Sequence, residues 1–208
     1  GHARTLNGEC VCHGPHHLPT ALEVKHLEPA LCLPHCEAGC AQMDRDMTLF
    51  NSYDRAGLDR EYDNRAKVAN SAEISARWEA ASADVRKQFS ADLDQPYGDH
   101  PRQCVDVFPA GKRDGPVLIF IHGGYWHMRD KSIAHFLAPT FIAADINFVS
   151  VGYRLCPEVT VADIADDIRA AIAWVKDNIG RFGGNPGRLY LAGHSAGGHL
   201  SALMGGPA

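Results

Sequence analysis

The first 42 residues contain no phenylalanine, tyrosine or tryptophan, although the chain has eight, six and three of them. A segment without aromatic anchors has little from which to build a core. It holds instead five of the seven cysteines (Cys10, Cys12, Cys32, Cys36 and Cys40) and six of the twelve histidines. Three readings compete for this leader. Metal ligation finds no paired-ligand spacing in "CVCHGPHH" or "HCEAGC". Disulfides would need an oxidising compartment that nothing in the sequence announces. An extension ahead of a start near Met43 or Met47, disordered or non-native, fits the composition best. Residues 1–42 are therefore expected to be a leader and residues 43–208 the folded domain.

Other absences narrow the class. No apolar run approaches the roughly 18 residues of a membrane span. A basic amino-terminal region followed by an apolar stretch, the mark of a secretion signal, is missing. Lys and Arg number 20 against 25 Asp and Glu, a formal charge of −5, so no basic stripe invites nucleic acid. These points predict a soluble, cytoplasmic protein. A hydrophobic content of 45% and a charged content of 22% are ordinary for one globular domain of this length.

What is present begins after Met43. "NSAEISARWEAASADVRKQF" starts with Asn70 as a candidate cap and Glu73 three residues on. Ile74, Trp78, Ala81, Val85 and Phe89 then recur at helical spacing. "QCVDVF" alternates like a half-exposed strand, whereas "VLIFI" (117–121) reads as a strand buried on both faces. A helix around 131–143, the strand "NFVSVGY", a long helix with Ile164, Ile168, Ile172, Val175 and Ile179 on one face and Gly180 as its cap, a "RFGGNPG" loop and the strand "RLYLAG" follow. Strands alternating with such helices predict βαβ units and a parallel sheet, hence an α/β fold.

Two stretches carry chemistry. Gly193-His194-Ser195-Ala196-Gly197 is a G-x-S-x-G pattern placed between a strand and a small-residue helix start. A serine there sits on a tight turn with its hydroxyl clear of the sheet and a helix amino terminus behind it. "FIHGGYWHMRD" leaves the carboxyl end of the 117–121 strand, where ligands gather in parallel sheets. Its glycines can present consecutive backbone N–H groups to a developing oxyanion.

On these residues the chain resembles the α/β-hydrolase superfamily, in the branch of kynurenine formamidases and related carboxylesterases. The resemblance rests on His122-Gly123-Gly124-Tyr125-Trp126, on Gly193 to Gly197, on "GYRLCPE" (152–158) and on "LDREYDNRAKV" upstream. It implies Ser195 as nucleophile, with an oxyanion hole formed by the N–H groups of Gly124, Tyr125 and Ala196 in a loop turned by Gly123. His122 would brace that loop. Trp126 and Tyr125 either wall an aromatic acyl or aryl pocket or serve as packing between loop and lid. The implied substrate is a small ester or formamide, and no cofactor or metal is required.

In this superfamily an acid and a histidine follow the nucleophile. Downstream of Ser195 stands "AGGHLSALMGGPA", with His199 alone and no carboxylate. His199 lies one turn along the helix and is expected to point down it. His127 is the nearest upstream candidate base, while Asp163, Asp166 and Asp167 are expected to be solvated on a helix surface. The expectation is thus the first part of a hydrolase whose last strands are missing, impaired as an enzyme. The open sheet edge would let copies pair into a homo-oligomer. The alternative is a catalytically incomplete hydrolase acting as a binding or interaction module, and a third reading is metal binding by the leader.

Overall fold

The alternation of short β-branched runs with amphipathic stretches folds into a five-stranded mixed sheet flanked by helices. The computed structural model describes residues 48–206. The expected leader, residues 1–42, lies outside them. The described residues fall into two compact units that meet in sequence at Asn64 and Arg65. In the first, Phe50 and Tyr53 form an antiparallel bridge. The Asp54 carboxylate accepts the Gly57 N–H at 2.6 Å and caps helix α1 (Arg55–Tyr62).

The second unit opens with α2 (Ser71–Gln88) and carries the sheet. Its strands are β1 (Asp92–Pro96), β2 (Cys104–Phe108), β3 (Gly115–Ile121), β4 (Asn147–Val151) and β5 (Gly184–Gly193), ordered β1-β2-β4-β3-β5. β3 runs parallel to both β4 and β5, with Ile119 opposite Val149 and Leu191. β2 is antiparallel to β1 and β4. Between β3 and β4 a 3-10 helix (Lys131–Leu137) continues into α3 (Ala138–Ala143). Helix α4 (Val161–Asn178) precedes β5 and α5 (Ala196–Met204) follows it. Among the described residues no helix is long and apolar enough to cross a membrane.

The two faces of the sheet are filled differently. On one, Val105, Val107, Val117, Ile119, Ile121, Val149 and Val151 meet Ile164, Ile168 and Val175 of α4 and Leu200 of α5. The other packs Phe108 and Phe148 against Val85, Ala134 and Ala138, with Leu118 and Phe120 half-buried beside them. This second face also buries charge. Asp106 accepts the His135 Nε2–H at 2.8 Å and the Asp94 N–H at 2.7 Å, with the Lys131 ammonium 3.3 Å away. Arg86 donates to His135 Nδ1 at 3.2 Å, which fixes the ring's donor on the Asp106 side. Lys131 also donates to Asp94 at 2.6 Å. Burial alone would lower the Lys131 pKa, but the bond to Asp94 and the charge of Asp106 raise it above its ordinary value.

Several expectations change on the structure. β2 is buried along its whole length because Asp106, the polar residue expected to face water, finds its partners inside. Asn70 stands at the cap position of α2 but makes no side-chain cap bond, since its ψ of 22° departs from the extended cap conformation. Thr160 and Asp163 instead form a complete capping box on α4. That helix does not end at Gly180. It tightens into a 3-10 turn (Ile179–Phe182) closed by Gly183 with φ 83°. The 131–143 helix opens with a 3-10 stretch, and β5 already begins at Gly184, in the expected loop. Asp167 is not a solvated surface residue. It is buried, bonded by the Arg154 N–H and guanidinium and by Gln103 Nε2.

Candidate active site

β5 ends at Gly193 and α5 begins at Ala196, so His194 and Ser195 form the whole turn. Ser195 takes φ 56° and ψ −120°, a conformation that costs a non-glycine residue about 1–3 kcal/mol and persists where neighbours enforce it. They do so here. The His194 N–H donates to the Ile121 carbonyl at 3.2 Å, the Gly197 N–H to His194 at 2.9 Å and the His199 N–H to Ser195 at 3.1 Å. A Cβ on Gly197 would run into the Ile121 carbonyl, and one on Gly193 into the Gly197 carbonyl. The two glycines therefore let α5 and β5 close onto the end of β3, leaving Ser195 exposed at the corner.

The loop after β3 meets this corner. A Cβ on Gly123 would stand 2.7 Å from the His194 carbonyl and 3.0 Å from Ser195 Cβ. Only a glycine lets the loop backbone come so close to the serine. Gly124 has φ 125°, and Tyr125 and Trp126 follow at φ 50° and 59°. The His127 and Met128 N–H groups both donate to the Gly124 carbonyl at 3.0 Å, closing the loop. Two successive non-glycine residues in the left-handed region, beside a strained serine, concentrate backbone strain at one point.

His122 supports the loop from beneath. It is fully buried, its Nδ1–H donates to the Gly123 carbonyl at 2.7 Å, and its ring stacks on Tyr153 at 4.3 Å. Tyr153 in turn donates to the His122 carbonyl at 2.8 Å. Burial pushes the His122 pKa down to about 4, so the ring is neutral at physiological pH. Its Nε2 is buried without a partner. Tyr153 belongs to the "GYRLCPE" stretch, as does Arg154, whose ion pair with Asp167 ties that segment to α4.

The structure thus brings Ser195, Ala196, Gly123 and Gly124 into one corner. Trp126 turns elsewhere: it packs against the aliphatic core and meets the His199 ring edge-on at 5.3 Å. Tyr125 lies 6.3 Å from His127, ring to ring. The aromatic wall nearest the elbow comes from a residue that had been counted only as part of a helix face. Trp78 of α2 stacks on Phe136 at 5.8 Å, touches His194 edge-on and carries the Arg129 guanidinium 5.6 Å above its ring. Trp78, Phe120, Phe136 and Leu137 enclose a cavity of about 320 Å³ that reaches Gly123 and His194. Arg129 had stood unremarked within "FIHGGYWHMRD", and nothing in that spacing singles it out.

Among the described residues no three His, Cys, Asp or Glu side chains are grouped as metal ligands. The His–carboxylate pair His135–Asp106 is buried in the charged seam of the sheet, bonded to Arg86. His199 faces Trp126.

Comparison with known proteins finds esterase and formamidase relatives. The family model described as BD-FAE matches residues 105–207. Over 108 residues the chain is 38% identical to the isoprenylcysteine alpha-carbonyl methylesterase of Arabidopsis thaliana, covering 51% of this chain and 25% of that protein. Over 114 residues it is 32% identical to the kynurenine formamidase of Danio rerio, covering 54% and 38%. The crystal structure of esterase B from Lactobacillus rhamnosis superimposes with a TM-score of 0.56 at 30% identity, covering 66% of this chain and 47% of that one. The chain spans about a quarter to just over a third of the length of these two curated relatives. On its fold, its elbow and its esterase relatives, the chain belongs to the α/β-hydrolase superfamily.

Proposed function

We infer that the protein is a serine hydrolase of small aryl formamides or carboxylic esters, working through an acyl-enzyme on Ser195. The observation that carries this reading is the meeting of Gly123 with the strained Ser195 turn, because the chemistry needs both at once. The hydroxyl attacks the substrate carbonyl and the carbonyl oxygen becomes an oxyanion. Ala196 is the first residue of α5, so its N–H has no acceptor within the helix and can take that oxygen. Gly124 and Tyr125 would supply the other donors, in a backbone already bent at fixed dihedrals. Losing one such donor typically costs about 10²–10³ in rate. The amine or alcohol departs with the proton that the serine gives up, and water then cleaves the acyl–Ser195 ester, releasing formate or another acid and restoring the hydroxyl. The relatives fit both substrate types, one being a methylesterase and one a formamidase. The test is turnover of an aryl acetate and of formanilide by wild type and by Ser195→Ala. Turnover that vanishes in the variant is expected; undiminished turnover would overturn the reading.

A second reading, a binding or interaction module built on the hydrolase fold, draws on one observation. His199, the histidine that follows the nucleophile, is directed at Trp126 and makes no triad with it. Absence of turnover together with retained ligand binding would favour it.

A further inference from the structure

A second cavity, about 400 Å³, lies beside the apolar one and shares Arg129 and Ile133 with it. Its residues come from α2, from the loops after β3 and β4, from the start of the 3-10 helix and, for Arg102, from the connection between β1 and β2. Three guanidinium groups, Arg86, Arg102 and Arg129, line it against the carboxylates of Glu79 and Asp130. Asp130 is occupied, accepting the Ser132 N–H at 3.0 Å and facing Arg102 at 3.8 Å.

The arginines are held by the fold. Arg102 donates to the Tyr153 carbonyl at 2.9 Å and to the Arg129 carbonyl at 2.6 Å, which pins Arg129 at φ 74°. Arg129 rests on Trp78 and donates to Ser75 at 3.3 Å. Arg86 donates to His135. A guanidinium has five N–H donors, and the bonds named leave Arg86 and Arg129 with most of theirs. Preorganised guanidinium groups with donors to spare suit a carboxylate, which they bind in a fork. Arg129 closes the apolar cavity on one side and borders the arginine cavity on the other.

We propose that the two cavities are one bipartite substrate site, in which the apolar part takes an aryl or alkyl group and the arginine part takes a carboxylate carried by the same molecule. The preferred substrates are then esters or amides of carboxylate-bearing aryl compounds. This assignment of a substrate rests on the hydrolase reading, but the binding itself does not.

The probe is 3-phenylpropionate against its uncharged amide, 3-phenylpropionamide, titrated calorimetrically into the full chain. The acid should bind at least about tenfold more tightly than the amide. Arg86→Gln should bring the acid down toward the amide and leave the amide unchanged, and Arg129→Gln, at a residue that also borders the apolar cavity, should weaken the acid more than the amide, with circular dichroism confirming the fold. Raising salt from about 50 to about 500 mM on the wild type should weaken the acid alone, a readout that needs no variant. Equal affinity for acid and amide, or a preference that survives both substitutions, would overturn the proposal. Acid preference without turnover keeps this site and removes the hydrolase reading; turnover without acid preference does the reverse.

Discussion

The two faces of the sheet solve the same burial problem with different chemistry. The face under α4 and α5 is aliphatic, closed by Ile164, Ile168, Val175 and Leu200. The face under α2 and the 3-10 helix mixes aromatic rings with a buried seam of Asp106, His135 and Lys131, and it leaves open the cavity at Trp78. Aliphatic packing is tolerant of shape and cheap to desolvate. A charged seam holds only if every partner is present. The first face behaves as scaffold for the elbow, while the second sets where the 3-10 helix sits and so shapes the walls of the candidate substrate site.

Substitutions on the two faces should differ in cost. Asp106→Ala would leave Lys131 without its buried counter-charge and the His135 Nε2–H without an acceptor, and should destabilise by about 3–5 kcal/mol in chemical denaturation. Asp106→Asn keeps a hydrogen-bond acceptor and should cost less. The corner itself has a pH signature. Above pH 6.5 His122 is neutral folded and unfolded; below it the unfolded chain takes up the proton first, because the folded ring waits until about pH 4. Its share of the stability, about 3 kcal/mol, should therefore be lost as pH falls from about 6.5 to about 4. Denaturation midpoints across that window should slope less steeply in His122→Gln than in wild type.

Smaller changes sharpen the contrast on the aliphatic side. Ile168→Val removes one buried methylene facing the sheet and should cost about 1 kcal/mol, with no change in the reactivity of Ser195. At the helix starts, Thr160→Ala should cost about 1 kcal/mol by removing a capping box. Asn70→Ala should be close to neutral, since Asn70 makes no side-chain cap bond. A paired thermal-melt comparison of the last two variants reads that difference.

Period and punctuation made the scaffold legible. The runs 117–121 and 147–151 became β3 and β4, and the isoleucine stripe of α4 faces the core as its spacing requires. The elbow was legible because G-x-S-x-G between strand and helix has one geometric solution. Asp106 misled because a charge in a strand looks solvated until its partners, 25 and 29 residues away, are placed by the fold. Asp167 misled for the same reason, its cation Arg154 arriving from the loop after β4. For Trp126 the sequence left two readings open, pocket wall or packing, because the two left-handed residues that turn it toward the core have no local signature. Trp78, far upstream, reaches the elbow only through the packing of α2 on the 3-10 helix. Long-range pairing, invisible to local pattern, separates the readings that held from those that did not.

The proposed acyl-enzyme requires that Ser195, held against Gly123 at the corner, be a reactive nucleophile. Intact-mass spectrometry after exposure to a fluorophosphonate, with Ser195→Ala in parallel, tests it most directly. A single adduct is expected on the wild type and none on the variant. A wild type that stays unmodified, or a variant labelled equally well, would contradict it.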